Sequence, residues 1–436
     1  MAFTNRLRNK AFWLLDTFKG SPVKKHFNEV RVILGYDNWN QVKQYHKIKI
    51  GELTQHAIRN IPFYSNLNTA RLEDFPVVFK RKIVENYEEF YAENYLKEKY
   101  WIKSTSGSTG EPFDVRQNDL KINRNIADTL YFSQRSGYQL GSSLFYIRFW
   151  DELLRKSGLQ AKIQNVVQIE ITELDDRALN RLCQQLSRNP KRTKGLLGYA
   201  SGFDLLIRYL ADQHVRFDFS GVKSAIAMAE ALSPVTRDKF KSYFDVPLLS
   251  RYSNTENGII AQQIPGTGTD FIINWASYYI EILDFNSDTP VQNGQQGRIV
   301  ITDLFNYAMP LIRYDTGDVG TMEIGHDGIP LLSTIEGRLH DTIYDTEGNI
   351  ISSFIPSYLE RYKGIIEYQF LQTGKKEYTI NLIINDQFSV EKEIIEFMKS
   401  HFGADAELKI NYIDSIPLLS SGKRKKVLNT FKNPMH

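Results

Sequence analysis

The stretch Val222-Lys-Ser-Ala-Ile-Ala-Met-Ala-Glu-Ala-Leu-Ser-Pro-Val-Thr-Arg-Asp-Lys-Phe-Lys-Ser-Tyr-Phe-Asp-Val-Pro-Leu-Leu-Ser250 reads as strand, helix, strand. Its first part, to Met228, is a short apolar run of the kind that fills a sheet buried on both faces. Ser233 stands where a helix wants an N-cap, and Pro234 falls at the first helical position, where a missing N–H costs nothing. Outward on the N-terminal side the alternation continues. Strands are expected at Leu144 to Phe149 and Val166 to Ile171, and helices at Asp175 to Arg188 and at Ser201 to Gln213 with Ser201 as its cap. Strands alternating with helices of this length predict a mainly parallel sheet covered on both faces, with ligands at the carboxyl ends of its strands.

Further out, helical spacing marks residues 40–60, ending before Pro62, and also 80–98 and 119–136. Past Tyr252 the texture turns β-rich, with strands at Tyr278 to Leu283 and Arg298 to Thr302 separated by turns such as Gln292-Asn-Gly294. A polar connection, Glu336-Gly-Arg-Leu-His-Asp341, leads into a final block with strands Tyr378 to Ile384 and Leu408 to Ile413 around helix Val390 to His401. The expected fold class is α/β. A large multi-layered N-terminal domain (1–337), with mainly parallel sheets and a β-rich subdomain, precedes a small α+β C-terminal domain (338–436).

Composition bounds the function. With 436 residues, 42% hydrophobic, the chain can bury a full core. Its 54 basic and 51 acidic residues leave a net charge of +3, too little to draw nucleic acid by a global field. The single cysteine, Cys183, excludes an intrachain disulfide and a multi-thiolate zinc site, and reads as a small buried apolar residue. No run reaches the roughly 18–20 apolar residues of a membrane span, so the expected location is the cytoplasm. Residues 1–25 combine Arg6, Arg8, Lys10, Lys19, Lys24 and Lys25 with Phe3, Phe12, Trp13, Leu14, Leu15 and Phe18. Such a helix either packs its apolar stripe on the body of the protein or associates weakly with a membrane surface.

Ser104-Thr-Ser-Gly-Ser-Thr-Gly-Glu-Pro112 packs hydroxyls and glycines into one loop. It reads either as a flexible linker or as a phosphate cradle, since glycines let successive amides converge on an anion and hydroxyls add donors without bulk. Four further signals follow in order: Arg251-Tyr-Ser-Asn-Thr-Glu256, Arg313-Tyr-Asp-Thr-Gly-Asp318, Glu336-Gly-Arg338 with Asp341, and Ser420-Ser-Gly-Lys423. Together, across nearly the whole chain, they resemble the adenylate-forming superfamily of acyl-CoA synthetases. The likeness is greatest to the phenylacetate-CoA ligase group and its relatives associated with capsular polysaccharide biosynthesis, the CapK-like group.

The resemblance implies an ATP- and Mg²⁺-dependent ligase that activates a carboxylic acid as its acyl adenylate and passes it to coenzyme A or another acceptor. Ser106, Gly107, Ser108, Thr109 and Gly110 would cradle the β- and γ-phosphates. Glu256 would hold Mg²⁺, a hard ion that suits one carboxylate plus phosphate oxygens and water. Thr255 would donate to the α-phosphate and Tyr252 would stack on adenine, with Ala229 and Glu230 of Ala227-Met-Ala-Glu230 on the other wall. Asp318 would accept the ribose hydroxyls, Arg338 would lie at the domain junction, and Lys423 would bridge the carboxylate and the α-phosphate as catalytic cation. The small domain would rotate between half-reactions.

Two positions depart from the family pattern: Glu111 stands where a lysine is common after the phosphate loop, and His340 stands at the hinge before Asp341. The implied alternatives are an amide ligase that decorates a polysaccharide precursor at an amino group without coenzyme A, and a nucleotide-binding homologue without catalysis. No glycine-rich loop ends in Gly-Lys-Ser/Thr, which excludes a P-loop NTPase. Phe145, Tyr146, Tyr199 and Trp275 are candidate walls for the acyl group, though aromatic residues are more often core.

Overall fold

The computed structural model describes every residue except 1–2, 94, 96–98, 105–112, 151–154, 214–215, 339–342, 349, 352–354, 417–425 and 432–436. Helices α1 (Phe3–Phe18) and α2 (Pro22–Ile33) are separated at Gly20 and Ser21, whose φ of 86° and 60° reverse the chain. Helix α3 (Trp39–Asn60) begins on Asn38, whose side chain accepts from the Asn40 amide at 2.9 Å, and stops before Pro62 as expected. Strand β1 (Val78–Phe79) leads into α4 (Lys80–Glu85). The helix predicted over 80–98 ends there and gives way to a 3₁₀ turn at Tyr87–Glu89. Tertiary packing overrides the local pattern: Phe90 is fully buried and stacks on Phe63 at 4.1 Å, in the cluster with Tyr64, Phe75 and Ile83.

A hairpin of β2 (Tyr100–Ser104) and β3 (Asp114–Asn118) follows, with Ser104 paired to Asp114, so the two ends of the undescribed hydroxyl loop meet in register. Helix α5 (Asp119–Arg135) then crosses the molecule. The alternation begins with β4 (Ser143–Arg148), α6 (Gly158–Gln164), β5 (Val166–Glu170) and α7 (Asp176–Ser187). It continues through β6 (Lys194–Tyr199), α8 (Ala200–Asp212), β7 (Val222–Met228), α9 (Pro234–Phe244) and β8 (Leu248–Asn254). Strands β9 (Gly258–Gln262) and β10 (Ile272–Ile273) complete a seven-stranded sheet ordered β10-β9-β8-β7-β6-β4-β5. Its five strands β5, β4, β6, β7 and β8 are mutually parallel, and β9 and β10 are antiparallel. Strand β6 is central and nearly all buried, yet periodicity did not reveal it, because Gly195 and Gly198 interrupt its apolar run.

A second sheet carries β11 (Tyr278–Leu283), β12 (Gln296–Asp303), β13 (Tyr314–Ile324) and β14 (Pro330–Arg338), antiparallel throughout, with β1 added parallel to β13. After the small hairpin β15 (Ile343–Tyr344) and β16 (Ile350–Ile351) comes a four-stranded sheet, β19-β18-β17-β20. It consists of β17 (Ile365–Gln372), β18 (Glu377–Ile384), β19 (Glu407–Tyr412) and β20 (Val427–Asn429), and α10 (Glu391–Phe402) packs on it. This last unit has its own core of Phe370, Tyr378, Ile380, Met398 and Phe402, with Phe370 stacked on Phe402 at 5.0 Å. The architecture is the α/β one expected: large mixed sheets and a small α+β C-terminal sheet.

The main core lies under α7, α8 and α9, with Phe203, Phe240 and Phe244 against β6 and β7. Cys183 is fully buried in it, and burial pushes its thiol up to about 12. Among the described residues no helix is long and apolar enough to cross a membrane.

Candidate functional site

The strand ends build the site. At the end of β7 the chain turns through Ala229, whose φ of 68° is left-handed, and Met228 pairs with Arg251 across the ladder. The Ala229–Glu230 turn therefore lies beside Tyr252. The Glu230 carboxylate accepts the Ser201 amide at 2.8 Å. Ser201 was expected to cap α8 but sits inside its first turn, where a carboxylate from the neighbouring strand end satisfies its amide instead. Ser233 is the cap expected, accepting from the Val235 amide at 3.2 Å with Pro234 following.

Strand β8 ends in a tight hairpin. The Asn254 side chain accepts the Asn257 amide at 2.8 Å, and Gly258 (φ 113°) restarts the chain in β9. Thr255 is exposed on this turn and Glu256 is half-buried beside it. Arg251, the first residue of the motif, points into the core and donates to Gln262 Oε1 at 2.6 Å. Burial lowers its pKa to about 10, so it is a structural cation.

Two phenol–carboxylate bonds join this hairpin to β13. Tyr252 Oη donates to Asp318 Oδ2 at 2.6 Å, and Tyr314 Oη donates to Glu256 Oε1 at 3.2 Å. The two motifs are thus zipped reciprocally, Tyr to acid and acid to Tyr. Burial, reinforced by Asp318 in one case and Glu256 in the other, pushes both phenols well above their ordinary range, so both stay protonated donors. Gly317 (φ 74°) makes the turn that lets the Asp318 amide reach Thr316 Oγ1 at 3.1 Å, and Thr316 in turn donates to the Ile299 carbonyl at 2.9 Å. Gln117, on the strand after the hydroxyl loop, donates to the Glu256 carbonyl at 2.9 Å. Arg338 stands opposite Asp318 in the β13–β14 ladder. Arg313 (φ 46°), by contrast, is a buried brace bound to Glu281 at 3.1 Å and to the Phe75 carbonyl at 3.1 Å.

A cleft adjoins these strand ends through Ser201. It is lined by Ser201, Asp204, Leu205, Arg208, Ile416 and Lys426, between α8 and the C-terminal sheet. Lys426 pairs with Asp204, and Arg208 donates to the Ile366 carbonyl. Burial alone would raise the Asp204 carboxyl, but Lys426 and Arg208 outweigh it and hold it below its usual value.

Of the sequence-predicted residues, the structure brings together Ala229, Glu230, Tyr252, Thr255, Glu256, Asp318 and the backbone of Arg338. Ser106, Gly107, Ser108, Thr109, Gly110, Glu111, His340, Asp341 and Lys423 lie outside the described residues. Ile416 and Lys426, which flank the stretch bearing Lys423, both line the cleft at Ser201. Sequence reasoning missed Gln117, Tyr314 and Thr316. The last two lie inside a motif already singled out, and their alternation with Asp318 on one strand face was the available signal. Three acyl-wall candidates are core instead, Tyr199 being buried in the same cluster as Phe145. Phe145 is buried under the sheet, and Trp275 is buried against Trp39 and His46 with its indole N–H on the Pro330 carbonyl at 2.9 Å. Among the described residues no three metal-ligating side chains cluster.

The fold is similar to that of a 2-hydroxyisobutyryl-CoA ligase in complex with 2-HIB-AMP, with TM-score 0.67 and 15% identity over 92% of this chain and 89% of that one. Residues 343–430 match the CapK C-terminal domain. Along its length the chain is 22% identical to the protein CapK of Staphylococcus aureus, over 87% of this chain and 88% of that protein. It is likewise 22% identical to the phenylacetate-coenzyme A ligase of Escherichia coli, over 86% and 92%. The chain is thus a distant relative of CapK and of phenylacetate-coenzyme A ligase and carries a CapK-type C-terminal domain.

Proposed function

We propose that this protein is an ATP- and Mg²⁺-dependent ligase that converts a carboxylic acid to its acyl adenylate and transfers the acyl group to coenzyme A or another acceptor. The observation that carries this reading is the reciprocal pairing of Tyr252 with Asp318 and of Glu256 with Tyr314 at the carboxyl end of a parallel sheet. The donor set fits a nucleotide. A half-buried tyrosine ring supplies a stacking face, and Asp318, held by Tyr252, supplies an acceptor for ribose hydroxyls. Glu256 fits magnesium as a lone carboxylate, because Mg²⁺ completes its shell with phosphate oxygens and water. When bound, Mg²⁺ would neutralise charge on the phosphates. Thr255, exposed on the hairpin, would donate to the α-phosphate, and Ala229 and Glu230 would wall the base. Ser106, Gly107, Ser108, Thr109 and Gly110 would hold the leaving pyrophosphate. Lys423 would offset the negative charge that builds as the carboxylate meets the α-phosphate. Arg338 would close the site where the small domain, 338–436, joins the large one, 1–337. The acyl group would lie near Tyr146, half-buried on β4.

The test is pyrophosphate release, or hydroxamate trapping, across a panel of acids. Failure with every acid while ATP still binds defeats the proposal and favours a non-catalytic nucleotide-binding homologue. Lys423→Ala is expected to abolish adenylate formation and leave ATP affinity nearly intact; equal loss of both would remove Lys423 from its role.

A second reading differs in the acceptor: an amino group on a polysaccharide precursor in place of coenzyme A. The resemblance to relatives associated with capsular polysaccharide biosynthesis motivates it. Consumption of the acyl adenylate by coenzyme A alone would exclude it.

A further inference from the structure

Helix α1 splits its apolar residues between two faces. Its apolar residues Leu7, Ala11, Leu14, Leu15 and Phe18 recur at the spacing of one helical face, and that face is turned to solvent: Leu14 is 57% exposed, Leu15 62% and Phe18 80%. The opposite face is the one that docks: Phe12 and Trp13 are half-buried on it, Trp13 against Phe27 at 5.7 Å. Asn5 and Asp16 are buried. Asn9 donates to the Leu140 carbonyl at 3.2 Å, and Asp16 accepts the Val23 and Lys24 amides at 3.0 Å each. These bonds and the Trp13–Phe27 contact fix the rotation of the helix, so the expected packing on the body holds for Phe12 and Trp13, while Leu14, Leu15 and Phe18 stay outward. Cations rim the outward stripe: Arg6, Lys10 and Lys19 are exposed, and Lys24 and Lys25 follow on α2. Residues 1–35 hold seven lysines and arginines against two carboxylates, and both carboxylates are engaged, Asp16 as above and Glu29 with Arg124 at 2.7 Å. Beside α1, where Arg8 Nη2 lies 3.5 Å from the Lys162 carbonyl, α6 exposes Leu159 (71%) and Ile163 (64%) one helical turn apart.

From this geometry we propose that α1 is an in-plane membrane anchor that seats the enzyme on an anionic bilayer surface, with Leu14, Leu15 and Phe18 in the acyl boundary and the flanking cations on headgroup phosphates. An apolar face with long basic side chains along its edges is the pattern by which interfacial helices bind: the stripe leaves water and the cations stay with the headgroups. Charge selects the bilayer over a second copy of the chain. Two copies joined through this stripe would bring two cationic rims together, whereas an anionic surface complements them.

The experiment is co-sedimentation of the full chain with vesicles of equal parts phosphatidylcholine and phosphatidylglycerol, against vesicles of phosphatidylcholine alone. Binding to the anionic vesicles is expected, weakened by salt. Leu15→Glu with Phe18→Glu should reduce it by at least about tenfold, with an unchanged melting temperature because both side chains are exposed. Lys10→Glu with Lys19→Glu should remove the preference for anionic vesicles. Equal binding of wild type and the Leu15/Phe18 variant, or no vesicle binding by wild type, overturns the proposal. So does a concentration-dependent dimer, seen by analytical ultracentrifugation and abolished by the same variant, in the absence of vesicle binding.

Discussion

Tyr314 shows how much a single hydroxyl decides at this site. It lies in a motif read from sequence, yet its role comes from reaching 3.2 Å across to Glu256, 58 residues away in the chain. Tyr314→Phe keeps the ring in its core and removes the donor. Expected is a stability loss of about 1 kcal/mol and a higher half-saturating Mg²⁺ concentration for pyrophosphate release. An unchanged magnesium titration would detach Tyr314 from the site. Asp318→Asn is expected to weaken ATP binding roughly tenfold, measured by calorimetry, because a charged acceptor becomes neutral. His46 gives a prediction independent of function. It is buried, bonded to the Trp275 carbonyl at 2.7 Å, and burial lowers its pKa to about 4. The unfolded chain protonates it near 6.5 and the folded one does not, so stability declines as pH falls from 6.5 toward 4, by up to about 3 kcal/mol. His46→Gln should flatten that part of the melting temperature profile; an equally steep profile would show that His46 is not its source.

Helix α5 has the position expected of it and an unexpected interior. The pattern over 119–136 announces a helix, but nothing in it says that its charges go inward. Lys121 pairs with Asp303 at 2.7 Å with both side chains fully buried, and Lys121 also donates to Tyr278 at 3.0 Å. Arg124 donates to Ser277 at 2.7 Å, and Ser277 in turn donates to Asp128. The partners come from β11, β12 and the turn before them, which no local window contains. Lys121→Met should cost about 3–5 kcal/mol in urea denaturation, because it strands a buried carboxylate, and adding Asp303→Asn should recover most of that. A near-neutral single variant would mean the pair is hydrated. In β6, a Cβ at Gly198 would stand 2.9 Å from the Ile147 side chain and carbonyl. The glycines that hid this strand from periodicity are what let it lie against β4 and α8.

At the scale of the whole molecule, the C-terminal sheet has its own core and meets the large unit through Lys426–Asp204 and Arg208–Ile366. If residues 338–436 move as a unit during turnover, as the family resemblance implies, that pair tethers one position of it. Lys426→Ala should then broaden the solution scattering envelope and change the balance between adenylation and acyl transfer. An unaltered envelope and balance would make the pair incidental.

The sequence by itself determined the class of fold, because alternating strand and helix periods and capping residues are local, and the ordered motifs are carried by short stretches. It also placed Tyr252, Glu256 and Asp318 together by resemblance. Only the tertiary structure decided which side of an amphipathic helix faces water. In both α1 and α5 directed polar bonds share the docked face with apolar packing: Asn9 and Asp16 dock one helix beside Trp13, and Lys121 and Arg124 dock the other beside Ala127 and Phe132. Those bonds depend on carbonyls and carboxylates distant in sequence, so the rotation of each helix is set by partners that no reading of its own residues contains.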